Sequence, residues 1–288
     1  MGVSALRGNW RKGAWAAAAA LAALVCVAVA RYLETEALLE GHYPLRSVAP
    51  HAVETKATLA RGAHLIRIFG CADCHGADLR GRMVYRGGAG VFASDLRALP
   101  KDYSDEDFAR AVRFGLNPDG TSLWLMPSAS FVYLSGDDMD AILATVDSLP
   151  RDAQFLNRPR FAGSARQDIR AGTIVPAAVD ALSDESSMDL GPRWSGGRYL
   201  ARTSCSECHG LDLAGSDDGR VPGLDGVKRY SLRQFFALVH DGRLRDGRYP
   251  PGMTAPAHAR FRYFADYETM ALYDYLWTRG WMSEVTLR

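Results

Sequence analysis

The chain has 288 residues, of which 48% are apolar and 23% charged, and its net charge is +1. This composition is typical of a globular protein, and the length predicts about two domains. Segment 1–31 carries four basic side chains and no acidic one, which leaves the remaining chain with a net charge of −3 and without a basic run. An acidic body of this kind argues against nucleic acid as a partner.

The chain begins with a predicted membrane segment. Residues 14–30 ("AWAAAAALAALVCVAVA") form 17 uncharged positions, enough for a helix that crosses the apolar core of a bilayer. Three basic residues precede the run, and basic residues remain on the cytoplasmic side. We therefore expect residues 1–31 to anchor the protein in a bacterial inner membrane by a single pass, with the N-terminus cytoplasmic and the rest periplasmic. The A-x-A pattern at the end of the run leaves a cleaved signal peptide as the alternative.

Two segments of the chain repeat each other. Residues 70–81 read "GCADCHGADLRG", residues 204–215 read "SCSECHGLDLAG", and together they hold four of the five cysteines. The separation between the two segments is too long for a solenoid and suits two tandem domains. We expect a linker at 32–54, a first domain at 55–150, a connecting strap at 151–193 and a second domain at 194–288. The strap contains prolines and an acidic stretch, so we expect it to run extended across the surface.

Within each domain the sequence predicts short helices joined by glycine-rich loops. Apolar residues recur at helical spacing across 56–69, and Ser104 and Ser135 each precede an acidic residue by three positions, which is typical of a helix start. The alternating apolar runs of strands are missing. A domain of this size with so few regular elements buries little surface by itself, so we expect a large apolar group at its centre.

The repeated cysteine motif predicts what that group is. On a helical turn, positions i, i+3 and i+4 share one face. The residues so placed are Cys71, Cys74 and His75 in the first motif and Cys205, Cys208 and His209 in the second. Two thiols can add to the vinyl groups of a porphyrin while the imidazole binds its iron, which is the c-type haem attachment pattern. A thioredoxin-like pair would need a βαβ frame, and a four-cysteine zinc site would have to join cysteine pairs from distant parts of the chain. We predict two covalently bound haem c groups.

Both halves resemble class I c-type cytochrome domains, and the first resembles the haem domains of membrane-associated multihaem cytochrome subunits that serve dehydrogenases. The resemblance rests on "CADCH", "SDEDFARAVRFGLNPDGTSLWLMP" and "LSGDDMDAILATVDSLP", and it covers both domains without the anchor and the strap. It implies an all-α fold of two tandem helical domains around covalent haems, preceded by one N-terminal transmembrane helix. The last helix of the first domain lacks the aromatic residue that often packs on the first helix, whereas "YDYLW" at 273–277 supplies such residues.

The resemblance also implies a methionine as the sixth iron ligand, in a loop before the last helix. Met126 occupies this place in the first domain, and Met253 occupies it in the second. His258 competes with Met253 for this role, and His240 is a weaker competitor. By analogy, the carbonyl of Pro222 is expected to orient the histidine of the second motif.

Ligation by histidine and methionine predicts the function. It fills both axial positions of the iron and raises the reduction potential relative to two nitrogen ligands. We therefore predict an electron-transfer subunit or carrier, and not an enzyme, that relays electrons between a redox enzyme such as a dehydrogenase and a downstream carrier or terminal oxidase. The expected partners are the membrane and a redox protein, which could be a dehydrogenase, an oxidase, a soluble cytochrome or a cupredoxin. The alternatives are a di-haem peroxidase with one exchangeable iron position and a sensor that switches a haem ligand.

Overall fold

Helices account for most of the described chain, in agreement with the prediction. The computed structural model describes residues 3–86, 89–99, 103–150, 160–161, 163–181, 188–216 and 218–286. Its α-helices are α1 (Val3–Leu39), α2 (Lys56–Ile68), α3 (Cys71–His75), α4 (Asp105–Phe114), α5 (Gly136–Asp147), α6 (Gly163–Arg170), α7 (Ala177–Asp180), α8 (Ser195–Leu200), α9 (Ser206–His209), α10 (Leu232–Asp241), α11 (Pro251–Ala259) and α12 (Asp266–Thr286). Connecting turns include the 3-10 helices Ser128–Phe131, Pro192–Trp194, Leu224–Arg229 and Phe261–Tyr263 and the π-helical turn Ala201–Cys205.

The N-terminal helix is longer than the predicted apolar run. It has 37 residues and continues to Leu39, into the segment expected to be a linker. Its part Lys12–Leu39, whose most apolar 18-residue stretch has a mean hydropathy of 2.2, is long and apolar enough to cross a membrane. A signal sequence near the N-terminus has the same properties, so the helix supports an anchor and a signal sequence alike.

The C-terminal end of α1 is held by α6. A guanidinium nitrogen of Arg170 donates a hydrogen bond to Thr35 Oγ1 at 2.7 Å, and Thr35 is fully buried. Arg166 pairs with Glu36 at 2.5 Å. The end of the apolar helix is therefore fixed to the body of the protein by polar contacts on one face.

The connecting segment packs against the protein where it is described. Ala165 and Ile169 are four positions apart in α6, and both are buried. The expectation of an extended strap over 151–193 is therefore wrong for residues 163–181, where a polar composition hides a narrow apolar stripe. The prediction of an extended strap for residues 151–159, 162 and 182–187 lies outside the described residues.

A small sheet corrects the all-α prediction. Strands β1 (Arg82–Arg86), β2 (Ala89–Ala93) and β3 (Arg160–Phe161) form an antiparallel sheet in the order β1-β2-β3. The strands are too short for a clear alternation of apolar and polar residues, which explains why the sequence did not predict them. The sheet carries the chain from the first haem motif to Ser94, whose carbonyl contacts the motif.

One helix crossing occurs in both halves of the chain. α2 crosses α5 at Gly62, where an added Cβ would lie 2.0 Å from the carbonyl oxygen of Ala141. α8 crosses α12 at Gly197, where an added Cβ would lie 2.1 Å from the carbonyl oxygen of Ala271. In each half, a glycine lets the helix before the haem motif approach a helix that follows it. The repeat in the sequence therefore extends to the packing of the helices.

The two halves pack directly on each other. Buried apolar residues from both halves form one connected cluster. Within it, the ring of Phe69 lies with its centroid 6.2 Å from the rings of Phe131 and Tyr199. The hydroxyls of Ser130 and Ser206 are buried and lie 2.8 Å apart across the same interface.

Candidate functional site

The first motif forms a single tight turn. α3 carries both thiols and the imidazole, and it follows Gly70, whose φ of 76° lies in the left-handed region that favours glycine. The amide of Gly81 donates to the carbonyl of His75 at 2.7 Å and closes the loop behind the turn. Neither Cys71 nor Cys74 forms a disulfide, in keeping with thioether bonds to a cofactor.

The second motif repeats this geometry. Cys205 ends a π-helical turn, and α9 carries Cys208 and His209. The loops behind the two motifs share an uncommon backbone feature, since Leu79 and Leu213 have φ values of 59° and 61° and are both buried. A leucine in the left-handed region is strained, and such strain persists only where the surrounding structure holds it. The same strained loop therefore supports both motifs.

Each motif histidine is oriented by a backbone carbonyl. His75 Nδ1 donates to the carbonyl of Ser94 at 2.8 Å, and His209 Nδ1 donates to that of Pro222 at 2.8 Å. The expected contact from Pro222 is thus confirmed, whereas the sequence did not indicate Ser94. A proton fixed on Nδ1 leaves Nε2 with a free electron pair for a metal. Burial lowers the pKa of both histidines, which keeps the imidazoles neutral at pH 7.

A cavity of about 620 Å³ lies over the first motif, and both His75 and Met126 line it. Its size falls within the range of about 300–1,000 Å³ for small-molecule and cofactor sites. Most of the wall is apolar and includes Ile66, Phe69, Phe108, Phe131, Leu134 and Ile142. The thiol of Cys71, a neutral imidazole and a thioether sulfur line this apolar cavity, and Cys74 lies on the same turn as Cys71. These four residues form the donor set of a covalently bound haem, so they fit that group.

Met253 lies on a helix and not in the loop that the sequence predicted. Pro251 occupies the first turn of α11, where proline is well tolerated, so the paired prolines begin the helix. Met253 is half-buried and packs against the core cluster. Its competitor His258 is exposed on the same helix. The other competitor, His240, has its Nε2 3.0 Å from the hydroxyl of Thr269.

The motif thiols are poor acids in this environment. Burial raises the pKa of Cys71 and of Cys205 to about 12. Redox-active thiol pairs have the opposite property, because their reactivity depends on a lowered thiol pKa. The buried environment of these thiols therefore differs from that of a redox-active pair.

Arg279 is a further supporting residue that sequence reasoning missed. It is nearly buried, donates to the carbonyl of Asp212 at 2.5 Å and pairs with Asp225. Asp212 and Asp225 lie in the chain segment after the second motif, so Arg279 fixes that segment to α12. No local pattern marks this arginine, because its partners are far away in sequence.

Comparison with known proteins finds cytochrome subunits, and no family model matches the chain. The fructose dehydrogenase cytochrome subunit of Gluconobacter japonicus is 23% identical over 253 residues, covering 76% of this chain and 52% of the relative. The cytochrome c subunit of a quinone alcohol dehydrogenase of Gluconobacter oxydans is 27% identical over 185 residues, covering 56% of this chain and 37% of the relative. That of Gluconacetobacter polyoxogenes is 24% identical over 266 residues, covering 76% and 55%.

These relatives confirm the coarser part of the sequence prediction. The chain is similar to cytochrome subunits of membrane-associated dehydrogenases, which are electron-transfer subunits and not the catalytic ones. Similarity to cytochrome c subunits supports covalently bound haem c as the cofactor. The chain spans about half the length, or less, of the curated relatives it matches.

Proposed function

We propose that this chain is a membrane-anchored di-haem c-type cytochrome. It relays single electrons between a dehydrogenase and a downstream carrier or terminal oxidase. The observation that carries the proposal is that His75 and Met126 line the same apolar cavity, beside a turn whose geometry the second motif repeats. The names of the relatives support a dehydrogenase as the electron donor.

In the first half, Cys71 and Cys74 would hold the porphyrin by thioether bonds, and His75 Nε2 and the Met126 sulfur would bind the iron. When bound, haem c supplies one-electron exchange between ferrous and ferric iron. The Ser94 carbonyl keeps the imidazole proton on Nδ1, so the ring stays aligned for binding. The apolar wall of the cavity keeps water away from the ligands.

In the second half, Cys205, Cys208, His209 and Met253 would take the same roles. Pro222 orients the histidine, and Met253 supplies sulfur from α11. Methionine ligation raises the potential of each site and leaves neither iron with an open position. Electron transfer without substrate chemistry follows from this arrangement.

The location of the protein is part of the proposal. Helix α1 would remain as an inner-membrane anchor with its N-terminus in the cytoplasm, and both haem domains would face the periplasm. In a retained helix, the contacts of α6 with the end of α1 would hold the body of the protein close to the membrane surface.

Intact mass in denaturant tests the haem content of the full chain. The wild type should exceed the polypeptide mass by two haems, and the paired variants C71A/C74A and C205A/C208A should each lose one. Cys26→Ala is the matched control, because Cys26 lies exposed on α1 and should leave both haems attached. A wild-type gain of one haem or none would contradict the proposal.

Assays of the purified protein test the relay function. In detergent, it should accept and donate electrons with small redox mediators and show no turnover with peroxide. Peroxide-dependent oxidation of a donor at about 1 s⁻¹ or faster would favour the peroxidase alternative instead.

A further inference from the structure

A single arginine joins the two haem motifs. Arg260 pairs through Nε with Asp73, which lies between the cysteines of the first motif. Through Nη1 it pairs at 2.7 Å with Glu207, which lies between the cysteines of the second. The arginine side chain is only 12% exposed, so this is a desolvated contact and not a surface ion pair.

The guanidinium of Arg260 occupies a position that a side chain at Gly70 would block. It lies directly over Gly70, the residue before Cys71, where an added Cβ would come within 2.2 Å of the Arg260 Cζ. Arg260 itself caps the C-terminal end of α11, the helix that carries Met253. One side chain therefore connects the first attachment turn, the second attachment turn and the helix of the second methionine.

The second motif contacts the first half directly through Ser206 and indirectly through Glu207. Ser206 lies 2.8 Å from Ser130, which follows Met126 by four positions. Glu207 binds Arg260, which in turn pairs with Asp73 of the first half. Because one guanidinium pairs with a carboxylate of each attachment turn, the charge of Arg260 acts on both turns.

We propose that Arg260 is a positioning residue that holds the two haem-attachment turns against each other, so that electrons pass between the haems across this contact under one shared positive charge. The inference rests on the proposed di-haem function. In the transfer step one electron leaves one iron, which becomes ferric, and reduces the other, which becomes ferrous. No bond forms or breaks and no proton moves.

The positive charge of Arg260 should shift the reduction potentials of both sites in the same direction. A positive charge disfavours ferric iron, which carries the greater charge, and so raises the reduction potential of both sites. Without Arg260, the carboxylates of Asp73 and Glu207 would face each other unpaired and would stabilise the ferric state at both sites. One charge removed at a separation of about 12 Å, at an effective dielectric constant of about 20, corresponds to a change of roughly tenfold in the ferrous-to-ferric ratio.

Redox titration of Arg260→Gln in the full chain tests the inference, with Arg262→Gln as the matched control. Arg262 is two positions away and exposed, so its loss removes the same charge outside the contact. R260Q should lower the ferrous-to-ferric ratio of both haems at a fixed ambient potential, by roughly tenfold, while R262Q leaves both close to wild type. Arg260→Lys should restore most of the ratio because it keeps the charge.

Single neutralisations keep the test decisive if R260Q does not mature. Asp73→Asn should raise mainly the first potential and Glu207→Gln mainly the second, opposite in sign to the loss of Arg260. The inference is overturned if R260Q shifts the reduction potential of neither haem by more than R262Q does. It is equally overturned if R260Q shifts the potential of only one haem. It is also overturned if neither neutralisation shifts its haem. Haem counting separates the two claims, since a wild type with fewer than two haems refutes the proposed function itself.

Discussion

Replacing Gly197 by alanine should destabilise the second half of the protein by about 3 kcal/mol. The added carbon would lie 2.1 Å from the carbonyl oxygen of Ala271 and 2.6 Å from the Cβ of Tyr275. Neither atom can swing aside, because one belongs to the backbone of α12 and the other to a fully buried side chain. The helices must therefore separate by about 1 Å, and a gap of that size loses a quarter to a half of the dispersion energy of the atoms along it.

Gly196 provides a matched control at the neighbouring position. It lies in the same helix, and among the described residues no atom comes within 4 Å of an added Cβ there. Alanine is favoured over glycine inside a helix by about 0.5–1 kcal/mol. The same chemical change at neighbouring positions should therefore have opposite effects on stability.

Thermal unfolding of the purified full chain in detergent measures both variants, followed by circular dichroism and by the absorbance of the second haem. For a domain of this size, a loss of about 3 kcal/mol lowers the midpoint by roughly 10–20 °C. G196A should leave the midpoint unchanged or raise it by a few degrees. Equal midpoints for the two variants would refute the reasoning, since only Gly197 lies at the crossing.

Three further predictions follow from individual residues. Met126→Ala and Met253→Ala should each lower the potential of one haem and abolish one of two methionine–iron charge-transfer bands, whereas His258→Ala should change neither; an unchanged spectrum in M126A would remove Met126 as a ligand. Burial would raise the pKa of Glu268, but its hydrogen bonds with His64 and the Ala265 amide lower that pKa below the ordinary value of 4.5. The contribution of Glu268 to the stability of the fold is therefore present above pH 4.5 and is lost as the pH falls through the lowered pKa. Glu268→Gln should therefore reduce stability at pH 7, by an amount that shrinks in acid titrations of unfolding; a constant difference would contradict this. N-terminal sequencing of the mature protein should find the apolar helix intact, and Arg31 as the first residue would show cleavage instead.

Local signals in the sequence predicted the local structure well. The helix start at Ser104 has both bonds of a capping box with Asp107, and Ser135 accepts from the amide of Asp138 as expected. The spacing of cysteines and histidine in each motif defines one turn without help from the rest of the chain. Such features depend on residues three or four positions apart, which is why a sequence alone reveals them.

Features that depend on distant residues were missed. The second strand of the sheet pairs with Phe161, which lies far along the chain, within the connecting segment. A loop was predicted around Met253 because the methionine takes the matching place before the last helix, whereas a proline at the first turn begins a helix there. Ser94 gave no signal because it contributes only its backbone carbonyl, which every residue possesses.

Arg260 shows why the interface between the two halves could not be predicted from the sequence repeat. A repeated sequence predicts two equal units, yet the contact between them is unequal, since a different surface of each unit takes part. Seven positions after its methionine, the first half has Tyr133 where the second has Arg260. Tyr133 cannot bridge two carboxylates. The centroid of its ring instead lies 3.6 Å from Cζ of Arg202 in the second half. The contact therefore joins a repeated acidic residue, Asp73 in one unit and Glu207 in the other, to an arginine that only the second unit has at this place. In a tandem protein of this kind, a junction between the proposed cofactors should be sought where the units differ in this way.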